Sequence, residues 1–344
     1  MTPVLEAVPN FSEGRDPTVV RHLVETLSAV DGVEILDWSA DPDHHRAVVT
    51  LVGPPAAVEE AAVRGAQVAL ERIDLRSHQG AHPRVGALDV LPFVPLRGVS
   101  MEDAAASAHR VGRRLAGMGI PVYYYGEASD PPGRRLAELR RGGFEALAGG
   151  FPADRAADEP AGASSPHPSA GVTCVGARPL LLAWNVFVSG LEPEAVRALA
   201  RSLRETAGGF PGLRALGLHL PGRDRLQVSM NLEDLGRTSP LEVYRAIEAG
   251  VAERGGRVEE TEVIGMIPDA LVLPAAGDRL HLPGLNPARL LSHRVSQHVI
   301  DRTVDGAESL RDALAAHGDA VPDQVRDAAF RLLGALLGND DGGR

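Results

Sequence analysis

The order of apolar runs and helical patterns constrains this chain more than any other feature, because one β-α-β-β-α-β order is read from it twice. Val4 to Val8 predicts a short strand, and Asp16-Pro17 then supplies a cap and a proline at the first helical position, opening a helix to about Ala29. Val33 to Asp37 and Ala47 to Val52 read as strands, Pro55 to Ile73 as a second helix and Leu88 to Val94 as a fourth strand. From Pro179 the order recurs: a strand to Val188, a helix from Glu192 to Thr206, strands at Leu216 to Leu220 and Leu226 to Leu232, a helix from Pro240 to Glu253, and a strand at Val258 to Ile264. No residue-level repeat accompanies it. The order predicts an α/β (α+β) protein of two ferredoxin-like-type subdomains with helices outside. Each sheet then has one face without helices, and packing the two sheets face to face covers both and leaves a ligand crevice between them.

On this reading residues 1–178 form the first subdomain, 179–300 the second and 301–344 a tail with two amphipathic patterns, Ala307 to Ala316 and Val321 to Leu337. Within the first subdomain, Ser100 caps a further helix to about Met118, and Val122 to Tyr125 is a short strand. Gly149 to Gly171, rich in Gly, Pro, Ala and Ser, is a loop long enough to be either functional or disordered.

With 344 residues, 44% hydrophobic and 24% charged, the chain can fill two cores. Its net charge of −11 argues against a general nucleic-acid binder, which needs a surface rich in Lys and Arg. The N-terminus lacks a leader pattern and no apolar run reaches the length of a membrane span, so neither membrane nor export is expected and a cytoplasmic location is the default. The single cysteine, Cys174, excludes an internal disulfide and a Cys-rich metal site.

Three polar segments lie at predicted strand ends: Pro9 to Arg15, Asp41 to Arg46, and the turn His78-Gln79-Gly80-Ala81-His82-Pro83-Arg84. Gly80 and Pro83 argue against a helix at that turn, so its histidines are not stacked on a helical face as in a zinc-protease motif. Loops at one end of a sheet can converge on one crevice, and the three segments are expected to be neighbours. His82 then reads either as a general acid/base, since imidazole titrates near neutrality, or as a turn histidine bonded to its own backbone. Asp41, Asp43, His44, His45, His78 and His82 could instead supply metal ligands, but no pair has a tight, recognised spacing, and no metal is expected. Ser169 to Arg178 contains enough small residues either for backbone to approach a flat ligand or simply for a tight turn between strands. No dinucleotide fingerprint or phosphate-binding loop is present.

Taken in order, Val8 to Asp16, Asp43-His44-His45-Arg46, the His78 to Arg84 turn running on into Gly86-Ala87-Leu88-Asp89-Val90, Tyr125-Gly126-Glu127-Ala128, Gly176-Ala177-Arg178, Trp184-Asn185, Gln227 to Leu232 and Val263 to Pro268 resemble the formiminotransferase family. The resemblance implies transfer of the formimino group from N-formimino-L-glutamate to N5 of tetrahydrofolate, a late step of histidine breakdown, with folate bound between two facing sheets and usually in a homodimer. It matches His82 to the catalytic histidine and Ser169, Gly171, Thr173, Gly176 and Arg178 to the folate-binding stretch. Within the matching motifs, Arg46 or Arg84 is expected to bind a substrate carboxylate, Asp43 or Asp89 to orient an imidazole or guanidinium, and Asn10 to contact substrate. The chain departs from the family pattern at His45, where Asn is usual, and at Ala81, where many members carry Glu. The tail is not expected to carry a cyclodeaminase domain. Formyl transfer from N-formylglutamate is the nearest alternative activity, a non-catalytic folate-binding relative the next, and a metal-dependent hydrolase a more distant one.

Overall fold

The computed structural model describes residues 3–80, 83–282, 284–317 and 321–337. The first sheet contains β1 (Leu5–Ala7), β2 (Asn10–Phe11), β3 (Glu34–Asp41), β4 (Arg46–Gly53), β5 (Leu88–Pro95), β6 (Val122–Gly126) and β7 (Thr173–Ala177). Its helices are α1 (Pro17–Ser28), α2 (Pro55–Arg72), α3 (Met101–Gly117) and the short α4 (Leu136–Leu139). β3 pairs with β4, β4 with β1 and β1 with β5, all antiparallel, which is the order of a split βαβ unit. β7 and β6 extend this sheet in parallel beyond β5. The second sheet runs β11 (Arg257–Ile264), β8 (Leu182–Ser189), β10 (Arg225–Leu232), β9 (Leu213–Leu220), with α5 (Pro193–Leu203) and α6 (Pro240–Ala252). The same strand order therefore occurs twice, and the molecule is an α/β (α+β) protein with two sheets.

Local signals set the helix starts. Asp16 caps α1 by accepting from Thr18 N at 2.8 Å, with Pro17 at the first position. Ser100 and Asp103 close a reciprocal capping box on α3. Alternation along the strands then separates two faces. Leu5, Ala7, Val49, Leu51 and Phe93 join α1, α2 and α3 in one core, and Trp184, Val186, Val188, Val228 and Met230 join α5 and α6 in a second.

The opposite faces of the two sheets approach each other. A methyl group on Gly265, just beyond β11, would come within 3.2 Å of Thr50 Oγ1 on β4. At the other end of the second sheet, in the turn between β9 and β10, Gly222 N donates to Asp43 Oδ1 at 3.2 Å and Arg223 Nη2 to Asp41 Oδ2 at 2.6 Å.

Several expectations need correction. The strand expected over Val4 to Val8 is shorter, Leu5–Ala7: Pro9 interrupts the extended chain, and Asn10–Phe11 forms a strand of its own between β4 and β5. Of the two readings of Ser169 to Arg178, the tight turn does not hold over its second half, where Cys174 lies in the apolar, strand-like run that forms β7, a fully buried strand between β5 and β6. The Gly149 to Gly171 loop is ordered against the sheet, with Phe151, Ala157 and Ala163 in one apolar cluster with Tyr123, whose hydroxyl donates to Arg155 O at 2.8 Å. An unexpected helix, α7 (Asp269–Leu280), contains Pro274, which interrupts the periodic pattern by which a helix is read.

The chain divides into two compact units, Val4–Leu271 and the remainder from Val272 onward. The second unit contains α8 (Leu291–His317) and α9 (Asp323–Leu337), which meet through Ala307, Leu314 and Leu333. α8 starts well before the expected Ala307, and the described side chains of its first turns are exposed, so they give no apolar stripe from which a helix is read.

Candidate active site

Three loops from the ends of β2, β3 and β5 meet, as their position at strand ends predicts. Gly14 sits so tightly in the β3–β4 connection that a methyl group there would collide with Asp41 O and lie 2.5 Å from Arg46 N. Gly80 is similarly close to that connection, where a methyl group would collide with His44 O. Ser12 Oγ donates to Gly86 O at 2.7 Å and so ties the first loop to the third. Only glycine fits at the two contacts, because backbone rather than a movable side chain occupies the space.

Asp89 forms the charged centre of this cluster. Its carboxylate is fully buried; Oδ1 accepts from Val85 N at 2.8 Å and Gly86 N at 3.3 Å, and Oδ2 from Arg46 Nη1 at 3.0 Å and Arg140 Nη1 at 3.1 Å. Arg46 also donates to Asn10 Oδ1 through Nε at 3.1 Å and Nη2 at 2.7 Å, and Asn10 Nδ2 donates to Val8 O at 2.5 Å. Burial pulls the Arg46 guanidinium down to about 10, with Asp89 opposing that shift, so it stays cationic at neutral pH. Two guanidinium groups thus share one carboxylate in a largely dry setting, a donor arrangement of the kind that binds carboxylates. The sequence expectation included Asn10, Arg46 and Asp89, which the structure brings together, but missed Arg140, which lies in a loop beyond α4 with no local signal.

Histidines line the adjoining wall. The His45 and His78 rings stack at 4.1 Å with planes 8° apart. His78 Nε2 donates to His45 O at 2.9 Å, which fixes its tautomer because a carbonyl can only accept, and leaves Nδ1 buried without a partner among the described residues. Burial holds His78 below the ordinary imidazole value, and His44 likewise. His45 has φ of 51° and reaches Gln79 O at 3.0 Å and Glu13 Oε1 at 3.2 Å, so the position where the family usually carries Asn bridges two of the three loops. Ala81 and His82 lie outside the described residues.

The remaining expected residues are placed as follows. Arg84 forms a two-pronged pair with Glu145, at 2.6 and 2.9 Å, and donates to His78 O at 3.1 Å, so it ties the turn to the segment after α4. Asp43 faces Gly222 and Arg223 of the second sheet. Ser169 O accepts from Leu75 N at 2.9 Å. Gly171 has φ of 71° and lies against Val85 O, while the Tyr125 ring fills the place of a Gly176 side chain at 2.5 Å. Thr173 is buried within β7. Arg178 lies half-buried on the face turned toward the second sheet, close enough to Glu6 and Tyr125 to act on both electrostatically. Cys174 is fully buried, which pushes its thiol up and leaves no thiolate for nucleophilic chemistry. Among the described residues, no group of three or more His, Cys, Asp or Glu side chains is arranged to hold a metal ion, and no helix is long and apolar enough to cross a membrane.

Comparison with known proteins bears on the same residues. Residues 4–178 match a family model described as the formiminotransferase domain, N-terminal subdomain, and residues 183–281 one described as the formiminotransferase domain. The chain is 36% identical over 281 residues to a glutamate formimidoyltransferase of Streptococcus pyogenes serotype M1, covering 80% of this chain and 93% of the relative. It is 34% identical over 298 residues to a glutamate formimidoyltransferase of Thermoplasma acidophilum, covering 86% and 98%. A formimidoyltransferase-cyclodeaminase of Rattus norvegicus is 39% identical over 285 residues, but the match spans only 52% of that relative.

Proposed function

The chain belongs to the formiminotransferase family, and from that premise we propose that it transfers the formimino group of N-formimino-L-glutamate to N5 of tetrahydrofolate, giving 5-formiminotetrahydrofolate and L-glutamate. Near-full-length identity to two glutamate formimidoyltransferases carries this reading. The convergence of the Asn10, Arg46 and Asp89 cluster with the histidine turn supports it.

The chemistry asks little of the protein beyond placement and proton transfer. N5 attacks the formimino carbon, a tetrahedral adduct forms, and the C–N bond to the glutamate nitrogen breaks. One proton leaves N5 and one reaches the departing amine. A single imidazole can carry both, and His82 is the residue assigned that role by family resemblance. The Asp89-held guanidinium of Arg46 serves a glutamate carboxylate, with Asn10 fixing its orientation. Asp43 and Arg84 hold the surrounding turns. The folate side is assigned to Ser169 to Arg178, with Arg178 its charged member and Gly171, Thr173 and Gly176 shaping the strand.

The same reading makes the protein a cytoplasmic homodimer acting in histidine degradation, with folate as co-substrate and no metal. Residues 1–178 and 179–300 form its two catalytic halves, and 301–344 a tail outside the chemistry. The deciding experiment follows glutamate release and the folate product together, for N-formimino-L-glutamate and N-formyl-L-glutamate, with and without tetrahydrofolate. Folate-dependent release matched by formiminofolate, lost in His82→Ala with folate binding kept, is the expected result. Preference for the formyl donor, release without folate, or full turnover by His82→Ala would each refute part of it.

A further inference from the structure

Glu6 plays no part in the cluster just described, yet its environment is unusual for a carboxylate. It lies at the centre of β1, paired with Val52 and Val94, between Leu5 and Ala7, which both point into the helix-side core. Its own side chain therefore leaves the sheet on the opposite face, the face on which Gly265 approaches Thr50. The residue is 5% exposed, and Oε2 is buried with no hydrogen-bond partner among the described residues. Burial raises its carboxyl above the ordinary value, and Arg178 opposes that shift.

Gln227 presents the complementary case on the second sheet. It sits in β10 opposite Phe187, next to the core residue Val228, so it too leaves the sheet on the face without helices. It is 1% exposed and its Nε2 has no partner among the described residues. Folded proteins leave few such groups unsatisfied, since each forfeits its hydration without a bond in return. Here an acceptor on one sheet and a donor on the other are both buried and both without a partner among the described residues, each on the helix-free side of its sheet.

We propose that Glu6 is a substrate-binding residue for a planar pair of N–H donors of the amidine type, with Gln227 contributing to the same crevice from the second sheet. A carboxylate presents two coplanar acceptor oxygens, which match two parallel N–H groups as they match the fork of an arginine. Resting on the transferase reading, two groups in the reaction carry this chemistry. One is the pterin edge formed by its 2-amino group and the adjacent ring N–H; the other is the formimino group, which as a formamidinium donates through nitrogen where a formyl group offers only a carbonyl oxygen. In the latter case Glu6 would determine the choice between formimino and formyl donors, because a buried carboxylate oxygen that needs a donor repels a carbonyl oxygen.

The test uses the full chain and the isosteric Glu6→Gln variant, with melting temperature, direct binding titrations of tetrahydrofolate and of each donor, and steady-state turnover. The expected result is a melting temperature equal to or above that of the unmodified protein, since no internal bond of Oε2 is lost, together with at least a tenfold loss in binding of one ligand. If the pterin is the group held, the Kd for tetrahydrofolate rises and those for both donors stay unchanged. If the formimino group is held, the Kd for N-formimino-L-glutamate rises while that for the formyl donor does not. Ligand constants all within twofold of the unmodified protein overturn the proposal. So does a fall in melting temperature of more than about 4 °C, the scale of a lost structural contact. Failure of the unmodified protein to turn over either donor refutes the transferase reading separately, because the titrations do not depend on turnover.

Discussion

Replacing Asp89 by Asn removes one charge and little volume, and it isolates the paired-guanidinium centre better than any deletion. The amide oxygen can still accept from Val85 N and Gly86 N, but an NH2 group then faces the Nη1 atoms of Arg46 and Arg140 where Oδ2 accepted at 3.0 and 3.1 Å. Two charge-assisted hydrogen bonds are lost, at about 1.5–3 kcal/mol each. Two cations with 13% side-chain exposure lose their shared counterion. Removing one partner of a buried pair costs about 3–5 kcal/mol, in agreement with that sum. At about 2–4 °C per kcal/mol for a unit of this size, the melting temperature should fall by roughly 6–20 °C. Urea unfolding should show a lower midpoint with an unchanged slope, because the surface exposed on unfolding is the same. In an Arg140→Gln background the same substitution should cost about 1–3 kcal/mol less, since one of the stranded cations is already gone. A loss below about 1 kcal/mol, or strict additivity with Arg140→Gln, would refute this account of the site.

Other consequences come from separate contacts. Gly176→Ala places a methyl 2.5 Å from the Tyr125 ring, and unfolding should show a loss of about 1–3 kcal/mol. Glu145→Gln breaks the two-pronged bond from Arg84, but Glu145 is largely exposed, so stability should change by no more than about 1 kcal/mol while the KM for the donor rises as the turn loosens. Cys174 should resist a thiol reagent in the native state and react at the rate of unfolding; rapid stoichiometric labelling of folded protein would contradict its burial. His78 is held below 6.5 by burial, so the unfolded chain takes up a proton where the folded one does not. Its contribution is intact above about pH 6.5 and is lost as the pH falls toward the folded value. His78→Gln should flatten the stability profile between pH 7 and 5, and an unchanged slope would show that this imidazole is not the source.

The fold was largely legible in the sequence because its elements are set by neighbours. Period-two alternation separates Leu5 and Ala7 from Glu6, and Asp16-Pro17 and Ser100 to Asp103 start their helices through contacts within three residues. The ordered motifs also carried the family, and the position of the polar segments at strand ends was enough to foresee that they meet. Where a local signal conflicted with the element, the sequence misled: Pro9 splits the first strand, and Pro274 lies inside a helix. Tertiary structure alone decided the partners. Arg140 reaches Asp89 across 51 positions and Glu145 reaches Arg84 across 61, the Tyr125 ring claims the space at Gly176, and Glu6 Oε2 is buried without a partner among the described residues. Backbone periodicity specifies which face a side chain leaves from, but the group it meets there depends on how separate elements pack, and one sequence pattern is compatible with many such encounters.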